Sequence, residues 1–325
     1  MKALADKKIL FFGTPEFAVP SLTALVEHGA AVRCVTMPEK PVGRKQLLRA
    51  PPVKRAAEQL GLAILQPEKL NEEFRDSVRS WNPDLAVVAA YGKIFRPALL
   101  SIPRHGFVNV HPSLLPRHRG ASPIPETIRM GDAKAGVTIM QLDEGLDTGP
   151  ILAARTYPLH GDETTGTLTP VLAEMGAILL VEILPAYFAG TLTPKPQPTV
   201  GVTLTKILRK EVAYLDARSN TADALERSVR AYTPWPGSWF CIDGMRFKLL
   251  RAHTEGPSSR PSGTLVALNE KSCGIVASDR QVLAIDSVQP ESGRPLEPAA
   301  FLNGYQKLFG KMLDEAPQPL TQPTT

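Results

Sequence analysis

The sequence predicts an α/β protein in two parts: a parallel sheet covered by helices, followed by a small β-barrel. Three observations carry this. Apolar runs of strand length alternate with stretches of helical periodicity over roughly the first 190 residues. A proline-rich segment at 193–199, TPKPQPT, interrupts that pattern. Beyond it the apolar runs are short and separated by Gly, Pro and Asn, as in a small antiparallel barrel.

Residues 8–12 read as a buried strand stopped by Gly13. Thr14-Pro15-Glu16 then opens a helix, with a capping hydroxyl, a proline suited to the first turn and an acid facing the helix dipole. Phe17, Leu22, Leu25 and Val26 recur at helical spacing until Gly29, and residues 31–36 form the next strand, which completes a βαβ unit. The alternation continues with a helix at 52–61, a strand at 63–65, a polar helix at 70–81 and strands at 85–90, 107–110 and 136–142. An amphipathic helix at about 166–189 closes the first domain. Strands apolar on both faces require helices on both sides. A helix is expected at 219–232, then strands at 239–242, 245–250, 263–267, 273–277 and 282–288. The expected boundaries are 1–189 for the first domain, 190–208 for an extended linker, 209–315 for the second domain and 316–325 for a disordered tail.

The 325 residues suffice for two domains. Hydrophobic residues make up 43% and charged ones 21%, an ordinary globular balance, so a disordered or fibrous class is excluded. The net charge is +5, basic enough to accept a polyanion without requiring one. Three separated cysteines, Cys34, Cys241 and Cys273, form no CxxC. They argue against a disulfide framework and a zinc site and suit a reducing cytoplasm. The apolar stretch 9–12 is too short for a signal peptide, and no run elsewhere is expected to span a membrane.

The first strand-to-helix turn is Gly13-Thr14-Pro15-Glu16-Phe17. It lacks the later glycines through which a pyrophosphate approaches, so a dinucleotide enzyme is rejected. The segment Asn109-Val110-His111-Pro112-Ser113 is sharper. Asn109 and His111 are two residues apart on a strand, hence on one face, at the carboxyl end where open parallel sheets bind ligands. An acidic, glycine-containing loop, Asp143-Glu144-Gly145-Leu146-Asp147-Thr148-Gly149, follows another strand. It lacks the length and alternating oxygen ligands of a calcium loop. Asn, His and Asp without a nucleophile point to direct displacement at a carbonyl. Asn109 and a protonated His111 would steady the oxyanion, and Asp147 would orient the imidazole. Ser113 as a nucleophile ranks low, since it lies outside any GxSxG elbow.

At these residues the chain resembles the methionyl-tRNA formyltransferases, within the wider folate-dependent formyltransferase family. The matching stretches are 11–22 (FFGTPEFAVPSL), 87–94 (VVAAYGKI), 109–124 (NVHPSLLPRHRGASPI), 136–152 (GVTIMQLDEGLDTGPIL) and 233–239 (TPWPGSW). The resemblance implies a Rossmann-like formyl-transfer domain and an OB-like C-terminal barrel that binds tRNA. It implies catalytic roles for Asn109, His111 and Asp147. It implies contacts to 10-formyltetrahydrofolate, a co-substrate rather than a tightly bound cofactor, at Tyr91, Gly92, Ser113, Leu114, Leu115, Pro116 and Asp143. The expected acceptor is the methionine amine of initiator methionyl-tRNA, and the expected state a cytoplasmic monomer with no metal and no membrane attachment.

Residues 33–55 carry Arg33, Lys40, Arg44, Lys45, Arg49, Lys54 and Arg55 against Glu39, a net +6. In the family the corresponding loop enters the acceptor region of tRNA, so Lys40, Arg44, Lys45 and, farther on, Lys206 are the expected tRNA contacts. Here the loop reads Gly43-Arg44-Lys45-Gln46-Leu47, unlike the family's usual Gly-Arg-Gly followed by a basic residue. A formyltransferase acting on a sugar-nucleotide amine would share the Asn-His-Asp set, but the basic loop and TPWPGSW favour tRNA. The glycinamide ribonucleotide enzyme normally lacks a second domain. A tRNA-binding module without catalysis leaves the Asn-His pair unexplained, and a formylfolate hydrolase would put water in place of the amine.

Overall fold

The computed structural model describes residues 3–42 and 47–315, so Arg44 and Lys45 lie outside the described residues. The elements run β1 (Lys8–Gly13), α1 (Val19–Glu27), β2 (Ala31–Val35), β3 (Lys40–Val42), β4 (Leu47–Arg49), α2 (Pro52–Gln59), β5 (Ala63–Leu65), α3 (Glu72–Trp81), β6 (Leu85–Ala89), α4 (Pro97–Leu100), β7 (Phe107–His111), β8 (Arg119–Gly120), α5 (Pro123–Arg129), β9 (Lys134–Gln141), β10 (Ile151–Pro158), α6 (Thr165–Phe188), β11 (Leu204–Thr205), α7 (Ala222–Ala231), β12 (Trp239–Ile242), β13 (Met245–Pro257), β14 (Leu265–Ala267), β15 (Cys273–Val276), β16 (Gln281–Pro290) and α8 (Pro298–Gly304).

Two compact units result. One comprises Met1–Pro123, Lys134–Pro158 and Thr167–Lys206; the other comprises Ile124–Ala133, Leu159–Gly166 and Ile207–Thr325. The two early excursions are fastened within the second unit by α7. Arg227 Nε donates to the Arg129 carbonyl, Arg230 Nη1 to the Glu163 carbonyl, and the Thr165 hydroxyl to the Ala231 carbonyl.

In the first unit seven strands are ordered β10-β9-β7-β6-β1-β2-β5. The run from β7 to β5 is parallel, whereas β9 pairs antiparallel with both β7 and β10. The expected all-parallel sheet is therefore mixed at one side. The extra strand β10 escapes sequence reading because its residues alternate between half-buried and exposed, as an edge strand does, without a continuous apolar run. Two other pairings fall where loops were expected: the β3–β4 hairpin inside the basic segment and the β8–β11 pair.

Helix α6 differs from expectation in two ways. It is apolar around most of its circumference rather than along one stripe. With 24 residues and a mean hydropathy of 1.8 over its most apolar stretch, it is long and apolar enough to cross a membrane, which corrects the expectation that no run is. Half of that stretch is buried inside the protein, and a core helix has the same composition. Gly176 shows how closely it sits on the sheet: a Cβ there would lie 2.6 Å from Val110 Cγ1 and 3.2 Å from Val137 Cγ1. Gly176→Val is expected to destabilise the protein by about 1–3 kcal/mol through overpacking. A lowered urea midpoint with unchanged slope checks this; an unchanged midpoint would mean that α6 is not seated there.

In the second unit the antiparallel sheet is ordered β12-β13-β16-β15-β14. It curls, and residues 310–314 bridge its two edges. Leu265 donates to the Lys311 carbonyl and Leu313 to the Gly263 carbonyl on the β14 side, while Asp314 donates to the Cys241 carbonyl on β12. The edges that would otherwise be open templates are thereby paired, giving the OB-like barrel. Phe240, Phe247, Leu249, Ile285 and Phe301 fill its core together with Leu225 and Val229 from α7. Thr221 caps α7 by accepting from the Ala224 amide at 3.3 Å.

Candidate active site

Strand β7 is buried along its whole length and ends at His111, where Pro112 cannot continue the ladder. Its neighbours are β6 on one side and β9 on the other, with Asn109 level with Val88 and Met140. Asn109 and His111 are 9% and 3% exposed, so both are polar groups held in the interior at the strand's end. Among the described residues the Asn109 side chain has no hydrogen-bond partner, which leaves its amide free for a ligand.

His111 is placed from two sides. Its Nε2–H donates to the His118 carbonyl at 3.1 Å, because a carbonyl can only accept. Its Nδ1 lies 3.7 Å from Asp147 Oδ2, an ion-pair distance too long for a hydrogen bond. Burial pushes the imidazole pKa below its usual value. The Asp147 carboxylate and the His118 carbonyl pull it back up without cancelling that shift, and His118 as a neighbouring titratable ring lowers it. The resting imidazole is therefore neutral, with Nδ1 as the basic nitrogen. The desolvation of a ring 3% exposed outweighs one carboxylate at 3.7 Å.

Asp147 sits in the left-handed region, φ 52°, which Asp tolerates better than most residues. Its Oδ2 accepts from the Gly120 amide at 2.8 Å. Gly120 itself has φ 113°, and a Cβ there would lie 2.5 Å from the Thr205 carbonyl oxygen, so only glycine allows β8 and β11 to come this close. The loop's other acid, Asp143, is exposed; its Oδ1 accepts from the Gly145 amide at 3.0 Å and the Thr148 hydroxyl at 2.7 Å, which shapes the turn.

The remaining expected folate contacts separate into two groups. Ser113 is buried, and its hydroxyl donates to the Arg117 carbonyl at 2.6 Å, a turn-forming bond. The Leu115 amide donates to Thr138 Oγ1, whose hydroxyl donates to the Ser113 carbonyl, so β9 holds the 113–116 turn; the Leu115–Pro116 bond is cis. Leu114 lies against Gly136. These residues stand beside His111 in sequence and space. Tyr91 differs: its ring is buried against Phe12 and Phe95 in the sheet's aromatic core, so its contribution to a ligand would come from backbone, as would that of Gly92, at φ 83°. Lys40 and Lys206 are exposed.

The basic segment is less free than its charge suggests. Arg33 stacks over Trp81 at 4.8 Å, Lys54 pairs with Glu39 at 2.7 Å, and Arg55 lies 3.9 Å from Glu16. The exposed cations Lys40 and Arg49 are direct cross-strand partners in the β3–β4 hairpin. Like charges placed opposite each other cost stability, which an anionic partner between them would relieve.

Sequence reasoning missed Gln197, Thr203 and Thr205. They lie in the expected linker, 190–208, which is pinned rather than free: Lys195 exchanges two backbone hydrogen bonds with Ile151, and Leu204–Thr205 pairs with Arg119–Gly120. A groove of about 460 Å³ opens here, lined by Arg119, Thr148, Pro150, Pro196, Gln197, Pro198, Thr199 and Val202. The register of proline-rich chain against a loop 50 residues away leaves no periodic signal in sequence. Among the described residues no cluster of His, Cys, Asp and Glu is arranged to hold a metal ion, and no hydroxyl or thiol is hydrogen-bonded to the His111 ring.

Asn109 and His111 thus close the carboxyl end of β7, while β9 runs antiparallel, so the loop after it starts at the opposite edge and folds back to bring Asp147 within 3.7 Å of His111. The chain belongs to the formyl transferase family: residues 7–184 match the formyl transferase domain and 207–306 the formyl transferase C-terminal domain. It is 45% identical over 304 residues to a methionyl-tRNA formyltransferase of Myxococcus xanthus, covering 93% of this chain and 96% of that one. To the Halorhodospira halophila protein of the same name it is 47% identical over 308 residues, covering 94% and 98%. Among solved structures it shares its fold with an N-formyltransferase from Helicobacter canadensis in complex with folinic acid and dTDP-3-aminofucose, at TM-score 0.64 and 14% identity, covering 86% and 98%. HypX from Aquifex aeolicus in complex with tetrahydrofolic acid matches at TM-score 0.59 and 18% identity, over 93% of this chain and 48% of that one.

Proposed function

We propose that this chain transfers the formyl group of 10-formyltetrahydrofolate to the amino group of methionine on initiator methionyl-tRNA, as a cytoplasmic step before translation initiation. The observation that carries the chemistry is a buried imidazole 3.7 Å from a carboxylate, two residues along the same strand from a buried, unpartnered carboxamide, with no hydroxyl or thiol hydrogen-bonded to the ring among the described residues. The choice of acceptor rests on relatives 45–47% identical across both domains.

The methionine amine adds its lone pair to the formyl carbon, and the carbonyl π pair moves to oxygen. The Asn109 amide donates to that oxyanion. His111 Nδ1 takes the proton shed by the attacking nitrogen, and Asp147 stabilises the imidazolium. When the C=O bond reforms, the bond from formyl carbon to N10 of the folate breaks, and N10 leaves with the proton. One proton has moved from amine to leaving nitrogen, and nothing is oxidised or reduced. The turn 113–116 and the backbone at Tyr91 and Gly92 would border the folate, with Asp143 shaping the loop opposite.

The test is formylation by the purified chain with 10-formyltetrahydrofolate and one of three acceptors: initiator methionyl-tRNA, an amino-sugar nucleotide, or none. Formylmethionyl-tRNA is expected. Formylation of the sugar amine in its place, or deformylation without an acceptor, would overturn the reading.

For the tRNA, Lys40 and Arg49 would grip phosphate, with Arg44, Lys45 and Lys206 as further contacts. The variant Lys40→Ala with Arg49→Ala is expected to raise the tRNA KM by about three- to tenfold and to flatten the salt dependence of binding by about one to two units of log–log slope. The formylfolate KM should not move. An unchanged salt slope would show that the hairpin touches no phosphate.

A further inference from the structure

We infer that Gln197, in the proline-rich segment, is a positioning residue for Asp147: its carboxamide holds the loop that carries the carboxylate and the strand whose amide receives it. The inference rests on the catalytic reading above for its meaning in turnover, but not for its geometry.

Every hydrogen-bonding position of the Gln197 amide is used. Its Nε2 donates to the Asp147 carbonyl and to the Gly149 carbonyl, each at 2.8 Å. Its Oε1 accepts from Arg119 Nε at 3.0 Å and from Arg119 Nη2 at 2.7 Å. One planar group with two donors and two lone pairs therefore joins three segments that are distant in sequence. The first is the loop through Asp147, held on both sides of Thr148. The second is β8, whose next residue, Gly120, donates to Asp147 Oδ2. The third is the segment carrying Gln197, itself pinned by Lys195 on one side and β11 on the other.

The arrangement fits a need. Asp147 has a left-handed backbone in a glycine-flanked loop whose surroundings are largely exposed, and such a loop has little packing of its own to fix it. Its carboxylate nonetheless has to stay near His111, now 3.7 Å away. The groups that face the His111 ring are Asp147, the His118 ring and the His118 carbonyl. The Thr203 hydroxyl accepts from the His118 amide at 2.8 Å, so the same linker steadies the His118 backbone as well.

Gln197→Glu is the discriminating variant. It keeps the volume and the acceptor for Arg119, but sets a carboxylate oxygen against two carbonyl oxygens in place of the two N–H donors. Gln197→Ala removes the whole clamp, and Val200→Ala, at an exposed position of the same segment, is the control. The primary readout is the NMR titration of His111 in the full-length protein, compared with Asp147→Asn. Withdrawal of the carboxylate leaves burial less opposed, so Gln197→Ala should move the His111 pKa downwards, in the direction of Asp147→Asn; Gln197→Glu should also shift it, with its added charge opposing the fall; Val200→Ala leaves it in place. In turnover, kcat should fall by about ten- to a hundredfold with the formylfolate KM held.

A His111 titration unchanged in both Gln197 variants, while Asp147→Asn shifts it, would overturn the inference. So would wild-type activity of Gln197→Glu, or an equal loss of kcat and folate affinity in a protein of lowered Tm with an unshifted His111, which describes general loosening. Absence of formyl transfer by the wild-type chain would instead count against the proposed function, because the titration reads the clamp without turnover.

Discussion

His111→Ala is expected to lower kcat for formyl transfer by about a hundred- to ten-thousandfold, with formylfolate binding held near wild type. The size follows from two losses at one position. In the proposed mechanism the base that receives the amine proton disappears, and the charge that would form opposite Asp147 has nowhere to form. Because the ring is 3% exposed, truncation also leaves a cavity, so His111→Gln, which fills the space without a basic nitrogen, should show a comparable loss in a better-packed protein. The wild-type pH profile supplies the sign. The His111 pKa lies below the ordinary 6.5, so the active neutral ring persists to more acidic pH than an exposed histidine would. The rate should be level through neutrality and fall as pH drops through the depressed pKa. Stopped single-turnover rates of the circularly dichroic, folded variants check this; turnover of His111→Gln near wild type would remove His111 from the mechanism.

Legibility in the sequence follows burial. Strands β1, β6, β7 and β9 are covered on both faces, so their apolar runs announce them, and Asn109 and His111 stand out as polar residues inside such a run. The period of two and the stop at Pro112 give the shared face. Strand β10, half exposed, has no such run. The two-residue strands β8 and β11 are too short for any periodicity. The proline-rich segment shows the limit most clearly. Its composition announces extended chain, but not what the chain lies against; the expected boundary at 189 leaves Gln197 outside the first domain although it bonds the Asp147 loop. The excursions 124–133 and 159–166 were invisible for a related reason: membership of a compact unit is decided by long-range partners such as Arg227 and Arg230. A sequence shows the acid near His111 but not the depth at which the ring is buried.

Asp147→Asn separates charge from placement, and its effect is expected to be the second largest, about a hundredfold or more on kcat. Asparagine is at ease at φ 52°, and its Oδ1 can still accept from the Gly120 amide, so the loop keeps its shape. The Gln197 bonds to the backbone carbonyls at 147 and 149 are likewise untouched. What is lost is the negative charge 3.7 Å from His111 Nδ1, the feature that makes an imidazolium tolerable in a buried site. The ground-state consequence is a further fall of the His111 pKa, since burial is then opposed by the His118 carbonyl alone. The acid limb of the pH profile should therefore move to lower pH while the plateau drops. That pairing is diagnostic, because a loosened loop would lower the plateau through disorder and would also weaken formylfolate binding. Asp147→Ala should lose at least as much activity and some stability besides, as the left-handed backbone suits alanine poorly. A pH–rate series on Asp147→Asn with an unshifted acid limb, or a plateau within a fewfold of wild type, would show that the carboxylate does not sustain the charge on His111, and the roles of the pair would have to be redrawn.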